Sequence, residues 1–469
     1  MTPLAAREYF DSVIRHSFDV FVKQCFAELN PGTPYIENWH VEAIAHRLEL
    51  CRAGESKRLI ITVPPRSLKS LCASIAFPAF VLGHAPTQRL IIVTYSQELG
   101  SKFTMAFRRI VNSAWYQRIF PNTRALKETE TEFVTTKGGE RVSISIGGSL
   151  TGRGGNFIII DDPLKADEAM SRAAGERVNE YYGSTLFSRL DDKRCGVIVL
   201  VMQRLHEEDL AGQLLRGGGW WHLDLPAIAQ EDACFELMRG RKHYRSHGDL
   251  LHPEREPWQI LDEIKQTLGT YAFQAQYQQR PVSDAGNLVH RDWICYYDAL
   301  PPRNTTSSII QSWDTALKGE EMHDFSVCTT WLRQGNDHYL MDVARKHCDY
   351  PELRRLASQL HYQYKPDITL IEDRGNGSSL IADLWHFESI RAVGIKPEGD
   401  KQTRLAAVSP LIEQGSVLFP RRAPWLADLI DELLRFPQTK FDDQVDSLSQ
   451  YLNWARLRAR TTLFKVDWM

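Results

Sequence analysis

Lys69 and Ser70 close the stretch LIITVPPRSLKS, in which an apolar run passes through two prolines into the start of a helical segment. Such a junction can hold a phosphate, because unpaired backbone N–H groups and the helix dipole face an anion at a helix start. In the spacing G-x-x-x-x-G-K-[ST], Lys69 and Ser70 take the last two positions, while Val63 and Leu68 stand where glycines are expected. The competing reading is a proline-rich turn. Further along, GGNFIIIDDP sets Asp161 and Asp162 at the C-terminal end of an apolar strand, where ligands collect on parallel sheets. With a nucleotide bound, Ser70 and Asp161 would hold Mg²⁺ and Asp162 would orient the attacking water. Pro65, Ser67 and Leu68 complete the loop, and Arg66 within it could act in cis on transition-state charge. Gln203, at the end of the apolar run GVIVLVMQ, is placed to contact a γ-phosphate; Trp39 or Tyr35 could meet adenine. GGSLTGRGG is richer in glycine but lacks a lysine and runs into a strand, so it reads as a loop beside the site.

A second chemistry is written in acids. SIIQSWD ends at Asp314, ITLIED carries Glu372, and FDDQVDSLSQYLNWA opens a helix with Asp442, Asp443 and Asp446. Carboxylates on two strands and a helix could cage two divalent cations about 3.5 to 4 Å apart, as in-line phosphodiester displacement needs. Acids at a helix start are also favoured by the dipole, so the joint pattern carries the argument. A strand with the first acid, a hairpin, a later strand with the second and a helix with the third resembles a ribonuclease H-like order.

These residues need elements to position them. RLIITV, RLIIVTYS, RVSISIG, FIIIDD and GVIVLVMQ are nearly continuous apolar runs, as expected of strands covered by helices on both faces. The first block therefore reads as α/β. The texture breaks at PVSDAGN and ALPPRNTTSS, and a second strand series follows. The expected organisation is a domain over 1–280 with a lid at about 220–280, a linker over 281–305 and a second domain over 306–469. The 469 residues are too many for one ordinary core. Net charge is −3, which leaves room for local basic faces to hold nucleic-acid phosphates. The 8 cysteines form no CxxC, arguing against a disulfide framework or a zinc site and for a reducing cytosol. Nothing in the sequence reads as a membrane span or a signal peptide.

PPRSLKS, GGSLTGRGGNFIIIDDPLK, MQRLHEEDLAG, FQAQYQQRP, SWDTALKG, LIEDRGNG and FDDQVDSL, in this order, resemble the large terminase subunit of tailed double-stranded DNA phages or prophages. The resemblance implies an additional-strand P-loop ATPase followed by a ribonuclease H-like endonuclease. It implies ATP with Mg²⁺ at Lys69, Ser70, Asp161 and Asp162, with Arg66 as the loop arginine. It implies that Gln203 falls in the segment that couples hydrolysis to motion. The implied nuclease acids are Asp314, Glu372 and Asp443, with Asp324 and Asp446 as auxiliary ligands for two Mg²⁺ or Mn²⁺, and the third ligand stays open among Asp442, Asp443 and Asp446. Double-stranded DNA, a procapsid portal, a small terminase subunit and other copies in a ring are the implied partners, in the cytoplasm of the bacterial host. The family commonly has glycine where this chain has Leu68, and often histidine where it has Phe441. A helicase or repair-type ATPase-nuclease is the alternative, and would be expected to carry a second motor domain.

Overall fold

The structure is a computed structural model and describes residues 3–150, 152–281, 288–315, 325–388, 390–439 and 441–463. Two compact units divide the chain: Met1–Lys265 with Tyr271–Ser283, and Gln266–Thr270 with Asp284–Met469.

The first unit is built on eight strands: β1 (Arg58–Thr62), β2 (Arg89–Thr94), β3 (Ala125–Glu128), β4 (Glu132–Thr135), β5 (Glu140–Ser145), β6 (Phe157–Asp161), β7 (Val197–Met202) and β8 (Trp221–Asp224). Their order is β3-β4-β5-β2-β6-β7-β1-β8, parallel except at the β3-β4-β5 edge. Alternation explains the unbroken apolar runs. Leu59, Ile61, Ile92, Ile159 and Val199 enter one core, while Ile60, Ile91, Ile158, Ile160 and Ile198 enter another on the opposite face. A strand buried on both faces is apolar along most of its length and presents its polar side chains chiefly where it emerges at its C-terminal end. There β1 leads into the proline loop and β6 delivers Asp161. β7 lies between those two strands, which is the additional strand that separates the loop from the acid. A small hairpin, β9 (Ala233–Glu236) with β10 (Lys242–Arg245), follows.

The second unit holds β11 (Cys295–Tyr297), β12 (Ser308–Asp314), β13 (Ser326–Gln334), β14 (Asp337–Lys346), β15 (Ile368–Glu372), β16 (Ala392–Ile395) and β17 (Val417–Pro420). Their order is β11-β17-β14-β13-β12-β15-β16, with β12-β13-β14 antiparallel and β12-β15-β16 parallel. One correction to the sequence reading falls here. Cys295–Tyr297, inside the stretch expected to be linker, pair in parallel with β17 as an edge strand. Three residues give too little alternation to register as a strand.

Candidate functional site

In the first unit, Val63 continues the ladder by donating its N–H to Met202 O, and the chain then turns through Pro64 and Pro65. The missing glycines are answered by backbone conformation: Arg66 and Leu68 take the left-handed region at φ 61° and 59°. Each such residue costs about 1 to 2 kcal/mol without glycine, so the loop must be held from outside. Arg255 donates to Arg66 O, and the His40 ring lies with Nε2 3.2 Å from Ser67 O. Leu68 also packs its side chain against the core. The Leu68 departure thus leaves the curvature of a glycine loop in place, at a cost in strain.

The acids close the site. Lys69 Nζ lies 3.0 Å from Asp162 Oδ2 and is 6% exposed. Ser70 Oγ donates to Asp161 Oδ1 at 3.0 Å, and Ser74 Oγ to Asp161 Oδ2 at 2.5 Å. Asp162 is itself left-handed at φ 43°, and its Oδ1 accepts the Gln203 N–H at 3.2 Å. Burial, followed by the charge of Asp162, pushes the Asp161 carboxyl up to about 7, against the pull of Lys69 and the two serine hydroxyls. Arg66 presents an exposed side chain from the loop. Trp39 is placed among aromatics: its ring stacks on His243 at 4.2 Å and lies 4.9 Å from Phe235. Tyr35 packs edge-on against Phe26. The residue after Trp39, His40, is the one that meets the loop, through Ser67.

His40, Ser74 and Arg255 lie outside the set that the sequence singles out. Ser74 sits one helical turn after Ser70, a spacing that could have marked it. His40 and Arg255 reach the loop from distant segments with no local signal.

In the second unit, β12 and β15 run side by side in parallel, with Trp313 opposite Ile371, so Asp314 and Glu372 end neighbouring strands. The helix Asp443–Leu463 is stitched onto β12: Ser312 Oγ donates to Ser447 O at 2.9 Å, Ser447 Oγ to Ser312 O at 2.7 Å, and Gln450 Nε2 to Ser312 Oγ at 2.9 Å. That fixes Asp443 and Asp446 beside the strand ends. The electrostatics register the crowding. Burial, then Asp446, Glu372 and Asp443, hold the Asp314 carboxyl well above its usual range. Burial leads the upward shift of Glu372, and it pushes Asp443 up to about 6 with help from Asp442 and Glu432.

Cations stand among these acids. Lys401 Nζ lies 2.6 Å from both Asp442 Oδ1 and Asp446 Oδ2, and Arg404 Nη2 donates to Asp446 Oδ1 at 2.7 Å. Both oxygens of Asp446, 4% exposed, are therefore ion-paired. Asp443 differs: its Oδ2 is buried with no hydrogen-bond partner, 3.8 Å from Arg345 Nη2. Arg345 is packed over Phe325 and Phe441, its guanidinium carbon 4.0 and 5.2 Å from the ring centroids. Phe441, where the resemblance leads one to expect histidine, thus supports an arginine beside Asp443. Among the described residues no three acidic, histidine or cysteine side chains converge to metal-ligand spacing. The donor chemistry nonetheless fits a hard cation: all-carboxylate, with one orphaned buried oxygen. Asp324 lies outside the described residues.

Residues 311–454 match the family model of the terminase RNase H-like domain. Among solved structures, the large terminase of a thermophilic bacteriophage is similar in a second crystal form (TM-score 0.53, 11% identity, 88% of this chain and 98% of that chain). The same phage protein in complex with ADP gives a TM-score of 0.52 at 11% identity, over 92% of this chain and 98% of that one. Its complex with ATP-γ-S gives 0.51 at 11% identity, over 88% and 98%. No curated protein matches the chain. The second unit carries a terminase RNase H-like domain. The chain as a whole has the mixed α/β fold of a phage large terminase subunit.

Proposed function

We propose that this chain is the DNA-packaging motor of a tailed phage or prophage. ATP hydrolysis in the first unit would drive double-stranded DNA into a procapsid, and the acids of the second, with two Mg²⁺ or Mn²⁺ bound, would cut concatemeric DNA at the start and end of packaging. The observation that carries this reading is the presence in one chain of a strained loop closed by Lys69–Asp162 and a unit matching the terminase RNase H-like domain. The thermophilic phage's large terminase, of the same fold, has been solved with ADP and with ATP-γ-S, which supports the nucleotide assignment.

In the first unit, Lys69 would leave Asp162 for the nucleotide phosphates, and Asp162, still anchored by the Gln203 N–H, would turn to the attacking water. Ser70 and Asp161 would hold Mg²⁺, and Arg66 would reach the γ-phosphate from the loop. In the second unit, Asp314, Glu372 and Asp443 would be the cation ligands. Asp446 would act as a charge partner of Lys401 and Arg404 and not as a direct ligand. When bound, the cations would polarise the phosphodiester and lower the pKa of a coordinated water. The partners would be DNA, the procapsid portal, a small terminase subunit and further copies in a ring, in the cytoplasm of an infected or lysogenic host. No helix among the described residues is long and apolar enough to cross a membrane. A helicase or repair ATPase-nuclease would be expected to carry a second motor domain, and the RNase H-like match stands in its place.

The test is ATP turnover with double-stranded DNA, with and without portal-bearing procapsids. A packaging motor requires both for full turnover; full stimulation by DNA alone would favour the helicase reading.

A further inference from the structure

Arg141, on β5, is 0% exposed, yet no carboxylate among the described residues pairs with it. Its Nη1 donates to Thr104 Oγ1 at 2.8 Å and its Nη2 to Ser74 O at 3.2 Å; Nε has no partner, and the group lies over Phe107 at 4.9 Å. Burying an arginine without a counter-ion is costly, so its contacts call for a reason. Burial lowers its pKa only to about 9, which leaves it charged near neutrality.

The reason lies in the helix that follows the phosphate loop. In a regular α-helix the carbonyl of Ser74 would accept from residue 78, and residue 78 is proline, which has no N–H. The helix is widened there: Leu71–Ala76 form a π-helical turn, and the Phe77 N–H reaches back five residues to Cys72 O. Arg141 supplies a donor to Ser74 O from outside the helix. The same Ser74 sends its hydroxyl to Asp161 Oδ2, opposite the oxygen held by Ser70.

We infer that Arg141 is a positioning residue for the Mg²⁺-nucleotide site: it fixes Ser74 in the widened turn left by Pro78, and Ser74 in turn orients the Asp161 carboxylate. This deepens the ATPase reading and rests on it. Arg141 touches neither nucleotide nor cation; its effect passes through one carbonyl and one hydroxyl. Losing it should therefore change how the site uses Mg²⁺ more than how it binds nucleotide without metal.

The experiment is binding of a fluorescent ATP analogue to the full chain, titrated with Mg²⁺, for wild type, Arg141→Met, Arg141→Lys, Ser74→Ala and the Arg141→Met/Ser74→Ala double variant. Arg141→Met and Ser74→Ala should each raise the Mg²⁺ midpoint about tenfold, with metal-free affinity within about twofold of wild type; a tenfold change corresponds to about 1.4 kcal/mol. The double variant should be no worse than the worse single one, because both act through the same link. Arg141→Lys, which keeps a donor for Ser74 O, should stay within about threefold of wild type, the scale of one retained hydrogen bond. An unchanged midpoint in Ser74→Ala, or additive shifts in the double variant, would overturn the inference. So would parallel loss of metal-free and Mg²⁺-dependent binding. If Arg141→Met does not fold, Ser74→Ala and Arg141→Lys still decide the matter. A wild-type chain that binds no nucleotide at any Mg²⁺ concentration would instead remove the ATPase reading itself.

Discussion

The two sites solve opposite charge problems. In the first unit the protein carries its own cation into the site. Lys69 pairs with Asp162 and two hydroxyls hold Asp161, so the acids are organised before any ligand arrives. In the second unit the acids outnumber the cations that reach them. Lys401 and Arg404 settle on Asp446, while burial first of all holds Asp314, Glu372 and Asp443 above their usual range, Asp446, Glu372 and Asp443 add to the rise at Asp314, and Asp443 Oδ2 has no hydrogen-bond partner. The first is preorganised by strained backbone, the second by a carboxylate excess that a hard cation would relieve. The strain in the first is concentrated: Arg66, Leu68 and Asp162 are three of the six non-glycine residues with positive φ among the described residues.

The largest expected effect tests the first half of this contrast. Asp162→Asn should lower ATP turnover by about 10² to 10⁴-fold, the usual range for a lost general base, while leaving Mn²⁺-dependent plasmid cleavage near wild type. Steady-state phosphate release and agarose gels would report the two. Next comes the charge balance of the second unit. Arg404→Met leaves a buried carboxylate short of one cation, and urea denaturation should show a loss of about 2 kcal/mol, discounted because Lys401 remains. If the loss is absent, Lys401 alone satisfies Asp446 and the contrast weakens.

A pH effect comes third. Burial, then the neighbouring groups His252, Arg255 and Arg245, lower the His40 pKa to about 3 from 6.5. The ring is neutral in the folded state and protonates more readily when unfolded, so the unfolded state binds more protons below pH 6.5. Its contribution is complete above that value and is lost as pH falls toward 3. Wild type should lose up to about 1.4 kcal/mol per pH unit in this window from this group alone, and thermal melts should show a shallower slope for His40→Gln. The smallest effect concerns strain. Arg66→Gly relieves a left-handed arginine with an exposed side chain, and should raise stability by at most about 1 kcal/mol while reducing ATP turnover. Lower stability would mean that the loop is not strained at Arg66.

These contrasts also explain what the sequence could and could not reveal. Buried parallel strands are local: IIIDD and RLIITV announce themselves because their apolar positions face a core on one side of the sheet or the other. Lys69, Ser70, Asp161 and Asp162 stand where such strands emerge, so the pattern that defines the strands also singles them out. The curvature of the loop was hidden, because it lies in φ angles that leucine and arginine rarely adopt and is held by Arg255 and His40 from other segments. Lys401 and Arg404 were hidden for another reason. DKQTRLAA reads as an ordinary solvated helix, and only tertiary packing brings it to Asp446. Arg141 was legible as a charged residue within an apolar strand, but its role depends on Pro78 and Ser74, which share no local pattern with it.

The central claim is that one chain carries two chemically independent sites. The most direct measurement is ATP turnover and Mn²⁺-dependent plasmid cleavage, side by side, for wild type, Lys69→Ala and Asp314→Ala. The account predicts that Lys69→Ala loses turnover and keeps cleavage, while Asp314→Ala does the reverse. Normal cleavage by Asp314→Ala, or no cleavage by wild type, would contradict it.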